Sequence, residues 1–192
     1  MVFDYDSTIA KIPISWVEAR EKFRLFLAEN FPELILPVDS RVDEMEALAI
    51  NHYSKDREKI FSFRQKLEKP YVGKHEPVFD TISFIKKKLD YRLFVLSNNL
   101  HSSVVSGLKQ FEILNEFEAI VAVDDVCLPK PHTAALKILS KKEPNFIKQA
   151  VFIGDSDRTD GAFSKKIGIP FINVISKRIE LNNTNTKNNE DT

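Results

Sequence analysis

What most constrains this chain is a repeated switch of hydrophobic period. Short apolar runs rich in Val, Ile and Phe fall at Val2-Phe3, 92–96, 119–123, 150–153 and 170–174, each the length of a buried strand. From the second run onward, stretches of helical period separate them, at 78–89, 102–111, 133–140 and 159–167. This is the βαβ alternation of an α/β fold, and it predicts a parallel sheet of about five strands. Such sheets bind ligands beyond the carboxyl ends of their strands. The polar residues that follow each run are therefore where chemistry is expected.

The alternation stops between residues 8 and 75, where amphipathic stretches at 15–34, 42–52 and 56–67 replace it. An insertion directly after the first strand would lie over that strand's carboxyl end. We therefore expect a small α-helical cap subdomain at 13–74, an α/β core made of 1–12 and 75–181, and a disordered tail at 182–192, which has no apolar residue to bury. Basic and acidic residues balance at 28 each, so no global field favours nucleic acid or an anionic membrane as a partner. No apolar run approaches the roughly 20 residues of a membrane span, and the first residues lack a leader pattern. Cys127 is the only cysteine, which excludes an internal disulfide and suits a reducing compartment. A cytoplasmic location is the expectation.

Asp4 and Asp6 are two residues apart at the exit of the first strand, a spacing that lets both side chains project toward one crevice. One carboxylate can attack phosphorus to form an acyl phosphate. A second can protonate the leaving oxygen and then deprotonate the water. A turn or capping role is the plain alternative for such a pair. The run at 93–96 ends in Ser97-Asn98-Asn99 ahead of a helix, where a hydroxyl and free backbone N–H groups suit phosphate oxygens, unless Ser97 or Asn99 only caps the helix. Lys130 stands between Pro129 and Pro131, a rigid presentation for an ammonium that would offset phosphoryl charge, though a lone lysine is ordinarily a surface charge. His132 reads as a cap or surface residue. The run at 151–153 ends in Gly154, followed by Asp155, Asp157 and Asp160. Crowded acids repel, and Mg2+ is the cation that a few carboxylate oxygens suit. Asp157 and Arg158 read as solvent-facing loop charges.

In order along the chain, Asp4-Tyr5-Asp6-Ser7-Thr8, Ser97, Lys130 and Gly154-Asp155 through Asp160 resemble the four motifs of haloacid dehalogenase-like hydrolases. The resemblance implies a Rossmann-like sheet with a helical cap. It implies that Asp4 is the nucleophile, transiently phosphorylated, and that Asp6 shuttles the proton. It also implies Mg2+ held by the Asp4 and Asp155 side chains and the Asp6 carbonyl, with Asp160 orienting that shell, and phosphoryl oxygens contacted by Thr8, Ser97, Asn98 and Lys130. Dehalogenase-like members lack the second aspartate, so Asp6 points to phosphoryl chemistry. Ser7, where many relatives have glycine, makes this string similar to phosphoserine phosphatases, whereas the last motif and the Lys-Pro pair look more like phosphoglycolate phosphatase and its sugar-phosphate relatives.

The expected function is Mg2+-dependent hydrolysis of a small phosphorylated metabolite through an aspartyl-phosphate intermediate. A phosphotransferase or mutase resembling β-phosphoglucomutase uses the same motifs, and a catalytically silent binding protein is the third alternative. Lys11, Trp16, Arg20 and Arg41 are candidate substrate contacts in the cap, with nothing in their spacing to select among them. Only three residues precede Asp4, so the first strand is expected to be unusually short. Oligomeric state is not legible.

Overall fold

The computed structural model describes residues 1–87 and 90–175. The predicted tail at 182–192, the end of the expected core at 176–181 and the last two positions of the 78–89 helix lie outside the described residues. In chain order the elements are β1 (Val2–Phe3), β2 (Ala10–Lys11), α1 (Trp16–Asn30), α2 (Val42–His52), α3 (Arg57–Glu68), β3 (Glu76–Pro77), α4 (Phe79–Lys86) and β4 (Leu93–Leu96). They continue with α5 (His101–Gln110), β5 (Phe117–Val121), α6 (Val123–Val126), α7 (Leu136–Lys142), α8 (Phe146–Gln149), β6 (Phe152–Gly154), α9 (Ala162–Ile167) and β7 (Phe171–Asn173).

Five strands form one parallel sheet in the order β5-β4-β1-β6-β7, a Rossmann-like α/β arrangement. Short β1 is central and is held by both neighbours: Val2 is in register with Phe94 and Phe152, and Phe3 with Val95 and Ile153. Bonds from Phe94 N to Met1 O (2.9 Å) and from Asp4 N to Ile153 O (2.8 Å) extend its pairing by a residue at each end. Its two side chains face opposite layers because strand residues alternate. Phe3 packs with Val95, Val104 and Leu108, and Val2 with Phe94, Phe152 and Phe163. Strand order reverses direction at β1, so the crevice opens at its carboxyl end, beside Asp4.

The helices between the first two motifs have their own apolar cluster. Ser15 caps α1 by accepting from Glu18 N, and Ala19, Phe23 and Leu27 follow at helical spacing on the buried face. They meet Met45 and Ala49 of α2 and Ile60 of α3, with Phe26 and Phe63 stacked at 4.1 Å. The buried stripe of α3 is unusual: after Ile60 it continues as Arg64 and Glu68. The chain enters and leaves this unit through β2 and β3, which pair antiparallel with Ala10 opposite Pro77 and Lys11 opposite Glu76.

Several boundaries differ from the sequence expectation. β5 begins two residues before the 119–123 run because Ala122 already turns the chain into α6. Residues 133–140 and 159–167 are not uniform helices: a tight turn at Thr133–Ala135 precedes α7, and a wide turn at Asp157–Gly161 precedes α9. Both turns carry polar side chains that bond the backbone locally, His132 to Ala134 N and Ser156 to Thr159 N. Among the described residues, no helix is long and apolar enough to cross a membrane.

Candidate active site

Asp4 leaves β1 with its N–H fixed to Ile153 O, and the next residues fold into a tight loop in which Thr8, Ile9 and Ala10 all donate to Tyr5 O. Strand alternation buries Tyr5 between the two aspartates on the far side, where its hydroxyl meets His75 Nδ1 at 2.5 Å. Ser7 takes a left-handed φ of 62° in this loop, the conformation for which glycine is the ordinary choice.

Lys130 reaches Asp4 from the loop after α6. Its Nζ is 2.6 Å from Asp4 Oδ1, 2.7 Å from Asp160 Oδ1 and 2.8 Å from Leu96 O, so all three ammonium donors have partners. The residue is only 4% exposed. Burial disfavours its charge, but Asp160 and Asp4 more than offset that and hold its pKa above the usual lysine value. Asp160 comes this close because Gly154 has no side chain: a Cβ there would lie 2.3 Å from Asp160 Oδ2. Ser156 N also donates to Asp160 Oδ2, at 3.2 Å.

The carboxylates outnumber the cation. Oxygens of Asp4, Asp155 and Asp160 lie within 4.8 Å of one another. Burial raises Asp4 well above the usual carboxylate range, Lys130 opposes that shift, and Asp160 and Asp155 reinforce it. Burial and the charges of Asp160 and Asp6 push Asp155 up to about 6. A second cation would relieve this crowding, and hard carboxylate oxygens are the donors a magnesium ion takes, so the residues fit the expected metal. Asp6 is outside this cluster by its side chain. Its Oδ1 accepts from Ile12 N (3.0 Å) and its Oδ2 from Trp16 Nε1 (3.1 Å), and burial raises its pKa against those two bonds.

A cavity of about 350 Å³ lies over these groups, walled from the sheet side by Asp4, Asp6, Ser7, Asn98, Lys130 and Asp155 and from the helical side by Trp16, Arg20, Arg41, Asp43 and Arg64. Polar contacts join the sheet side to the helical side. Asn98 Nδ2 donates to Asp43 (2.8 Å), Arg64 donates to Asn98 O (3.3 Å), and Arg158 pairs with Glu44. Of the four candidate contacts in the helical insertion, Trp16, Arg20 and Arg41 line the cavity; exposed Lys11 does not.

Two expectations change here. The N-terminus of α5 is not an open phosphate cradle: Leu100 N and His101 N donate to Glu68 Oε2 (3.4 Å) and Asp124 Oδ1 (2.8 Å). Carboxylates from α3 and α6 thus occupy two of the backbone donors near the motif after β4. Ser97 Oγ donates to Asn99 Oδ1 at 3.0 Å, and neither Ser97 nor Thr8 is part of the cavity wall. Asn98 does line it, and also braces the Lys130 loop by accepting from Lys130 N at 2.7 Å. His132 caps the turn after it, and Asp157 and Arg158 are exposed, as their sequence context suggested. Asp43, Arg64 and Glu68 were missed. The signal for the last two was their i, i+4 spacing in line with Ile60, which places a charged pair on a buried helical face.

Fold and site together define the class, a Rossmann-like α/β protein with an acidic cavity at the switch point of the sheet. The profile of the haloacid dehalogenase-like hydrolases matches residues 1–174, and the chain belongs to that family. A curated relative, the pyrophosphatase PpaX of Bacillus thuringiensis, is 30% identical over 110 residues, covering 54% of this chain and 49% of the relative. The chain thus spans about half the length of the curated relatives it matches. Among solved structures, a protein from Bacteroides fragilis assigned as a haloacid dehalogenase-like hydrolase aligns with a TM-score of 0.61 at 21% identity, covering 90% of this chain and 85% of that one. One from Lactobacillus plantarum assigned as a phosphoglycolate phosphatase aligns at 0.60 with 17% identity, covering 88% and 83%.

Proposed function

We propose that this chain hydrolyses a small phosphate monoester, with Asp4 as nucleophile and Asp6 as proton shuttle. The carrying observation is that Asp4 and Asp6 both line one cavity but are differently held, Asp4 by the Lys130 ammonium and Asp6 by two neutral N–H donors. An Asp4 carboxylate oxygen attacks phosphorus, the phosphorus–ester oxygen bond breaks, and the leaving oxygen takes the proton of the Asp6 carboxyl. Asp6 then accepts a proton from water as that water attacks phosphorus, which releases inorganic phosphate and restores the Asp4 carboxylate.

The raised pKa of Asp6 suits a group that must begin protonated. Lys130 offsets charge on the transferring group and holds the nucleophile's orientation. A magnesium ion held by Asp4 and Asp155, with Asp160 orienting them and the Asp6 carbonyl as a further ligand, would supply charge neutralisation at the phosphoryl oxygens. Asn98 and Lys130 are the phosphate contacts that the cavity favours; each would exchange a present partner for a phosphoryl oxygen, and Ser97 and Thr8 would have to reorient to join them. The helical unit acts as a cap that excludes water and selects substrate. The names of the relatives, a pyrophosphatase and a phosphoglycolate phosphatase, support phosphoryl chemistry.

The test is phosphate release from a panel of phosphomonoesters with and without Mg2+, beside an Asp4→Asn control. Release that needs the ion and vanishes in the control is expected. Turnover that survives either loss would remove Asp4 and the acidic cluster from the reaction.

A further inference from the structure

Three arginines reach the cavity from the helical unit, and their commitments differ. Arg41 is held by Asp43 at 2.5 Å and Glu44 at 3.9 Å. Arg64 is held by Glu68 at 2.7 Å and Glu46 at 3.7 Å. Arg20 makes no hydrogen bond or ion pair among the described residues, although its Nε is sealed from solvent. On the sheet side Lys130 is consumed by Asp4, Asp160 and Leu96 O. Arg20 is thus the cavity-lining cation with no protein anion of its own.

A guanidinium stays protonated at any ordinary pH, and a buried N–H without a partner is destabilising. Such a group is completed by an oxyanion, which its planar fork can bind through two parallel bonds. The phosphoryl end of a substrate is claimed by Asp4 and Lys130, on the opposite wall. The cavity volume of about 350 Å³ is near the small end for ligand sites, so any second charge must lie within a few bonds of the phosphoryl group.

We infer, building on the phosphatase reading above, that Arg20 receives a second oxyanion of the substrate, which is therefore a small phosphomonoester bearing a carboxylate or a further phosphate at its other end. Arg20 sets specificity by binding and takes no part in bond breaking. Trp16, one helical turn earlier, provides the report: it is the chain's only tryptophan, lines the same cavity and lies against Arg64, whose guanidinium carbon is 5.1 Å from the indole centroid.

The experiment titrates the protein in excess Mg2+ with phosphonoacetate, methylenediphosphonate and ethylphosphonate, reading Trp16 fluorescence. The wild type should bind one or both doubly functional probes about 10- to 100-fold tighter than ethylphosphonate. Phosphonoacetate and methylenediphosphonate separate a carboxylate from a phosphate as the second anion. Arg20→Gln should erase the preference and Arg20→Lys should keep part of it, each variant's fold being checked by circular dichroism. A wild type that binds all three probes equally, or an Arg20→Gln protein that keeps the preference, overturns the inference. Preference without phosphate release from any monoester would instead remove the phosphatase reading and leave Arg20's role standing. Release without preference does the reverse.

Discussion

Replacing Lys130 by Met keeps most of the buried apolar stem and removes the ammonium. Three donors are lost at once, to Asp4 (2.6 Å), Asp160 (2.7 Å) and Leu96 O (2.8 Å), and two carboxylates at most 10% exposed are left without their cation. Removing one partner of a buried ion pair costs about 3–5 kcal/mol, because the remaining charge stays buried. For a chain of this size each kcal/mol moves Tm by roughly 2–4 °C, which gives a fall of about 6–20 °C. The cost must also depend on pH. Without Lys130 the charge that opposes the upward shift of Asp4 is gone, so its folded pKa rises further, and a raised carboxyl contributes stability at low pH that is lost as pH increases through its folded pKa. Urea unfolding of both proteins in chelator, at pH 7.5 and 5.5, should therefore show a deficit that shrinks on acidification. A deficit below about 1 kcal/mol, or one that grows on acidification, would refute the assignment of Lys130 as the counter-ion of Asp4 and Asp160.

Trp16→Phe removes the indole N–H that Asp6 accepts and should slow turnover of alkyl phosphates by about tenfold, with a smaller loss on aryl phosphates, whose leaving group needs less protonation; equal losses would count against Asp6 as the acid. Burial, resisted by Arg64 and reinforced by Glu68, Asp43 and Asp124, pushes Glu46 up to about 8, and neither of its oxygens has a hydrogen bond. Wild-type stability therefore declines as pH rises from the ordinary glutamate range through about 8, so the balance between Glu46→Gln and wild type should move toward the variant by roughly 2–3 kcal/mol between pH 6 and 9 in denaturant melts. A balance that stays constant with pH would show that Glu46 does not titrate there. Ser7→Gly relieves a left-handed φ of 62° and should stabilise by about 0.5–1 kcal/mol in the same assay; destabilisation would mean that the serine side chain supports the loop.

Much of the scaffold was legible because strand and helix periods are local properties. Runs at 92–96, 150–153 and 170–174 correspond to β4, β6 and β7, and the insertion after the first strand is built of α1 to α3. β2 and β3 escaped notice because Ala10-Lys11 and Glu76-Pro77, unlike Val2-Phe3 of β1, are not apolar runs and form strands only through their pairing. Asp4, Asp6, Lys130 and Asp155 could be nominated because each follows a strand or sits in a rigid turn, contexts that position in the chain reveals.

Which partners those groups have is a different kind of information. Lys130 meets Asp4 across 126 positions of sequence, and Arg64 meets Asn98 O across 34. The closure of the α5 N-terminus by Glu68 and Asp124, and the lack of a partner for Arg20 Nε among the described residues, follow from how helices pack on a sheet. Residue order by itself pointed to a parallel α/β sheet with acids at its carboxyl edge and a helical insertion after its first strand. Only the tertiary structure decided which charges are already neutralised and which remain for a ligand, because electrostatic compensation acts through space over a few ångströms and has no periodicity along the chain.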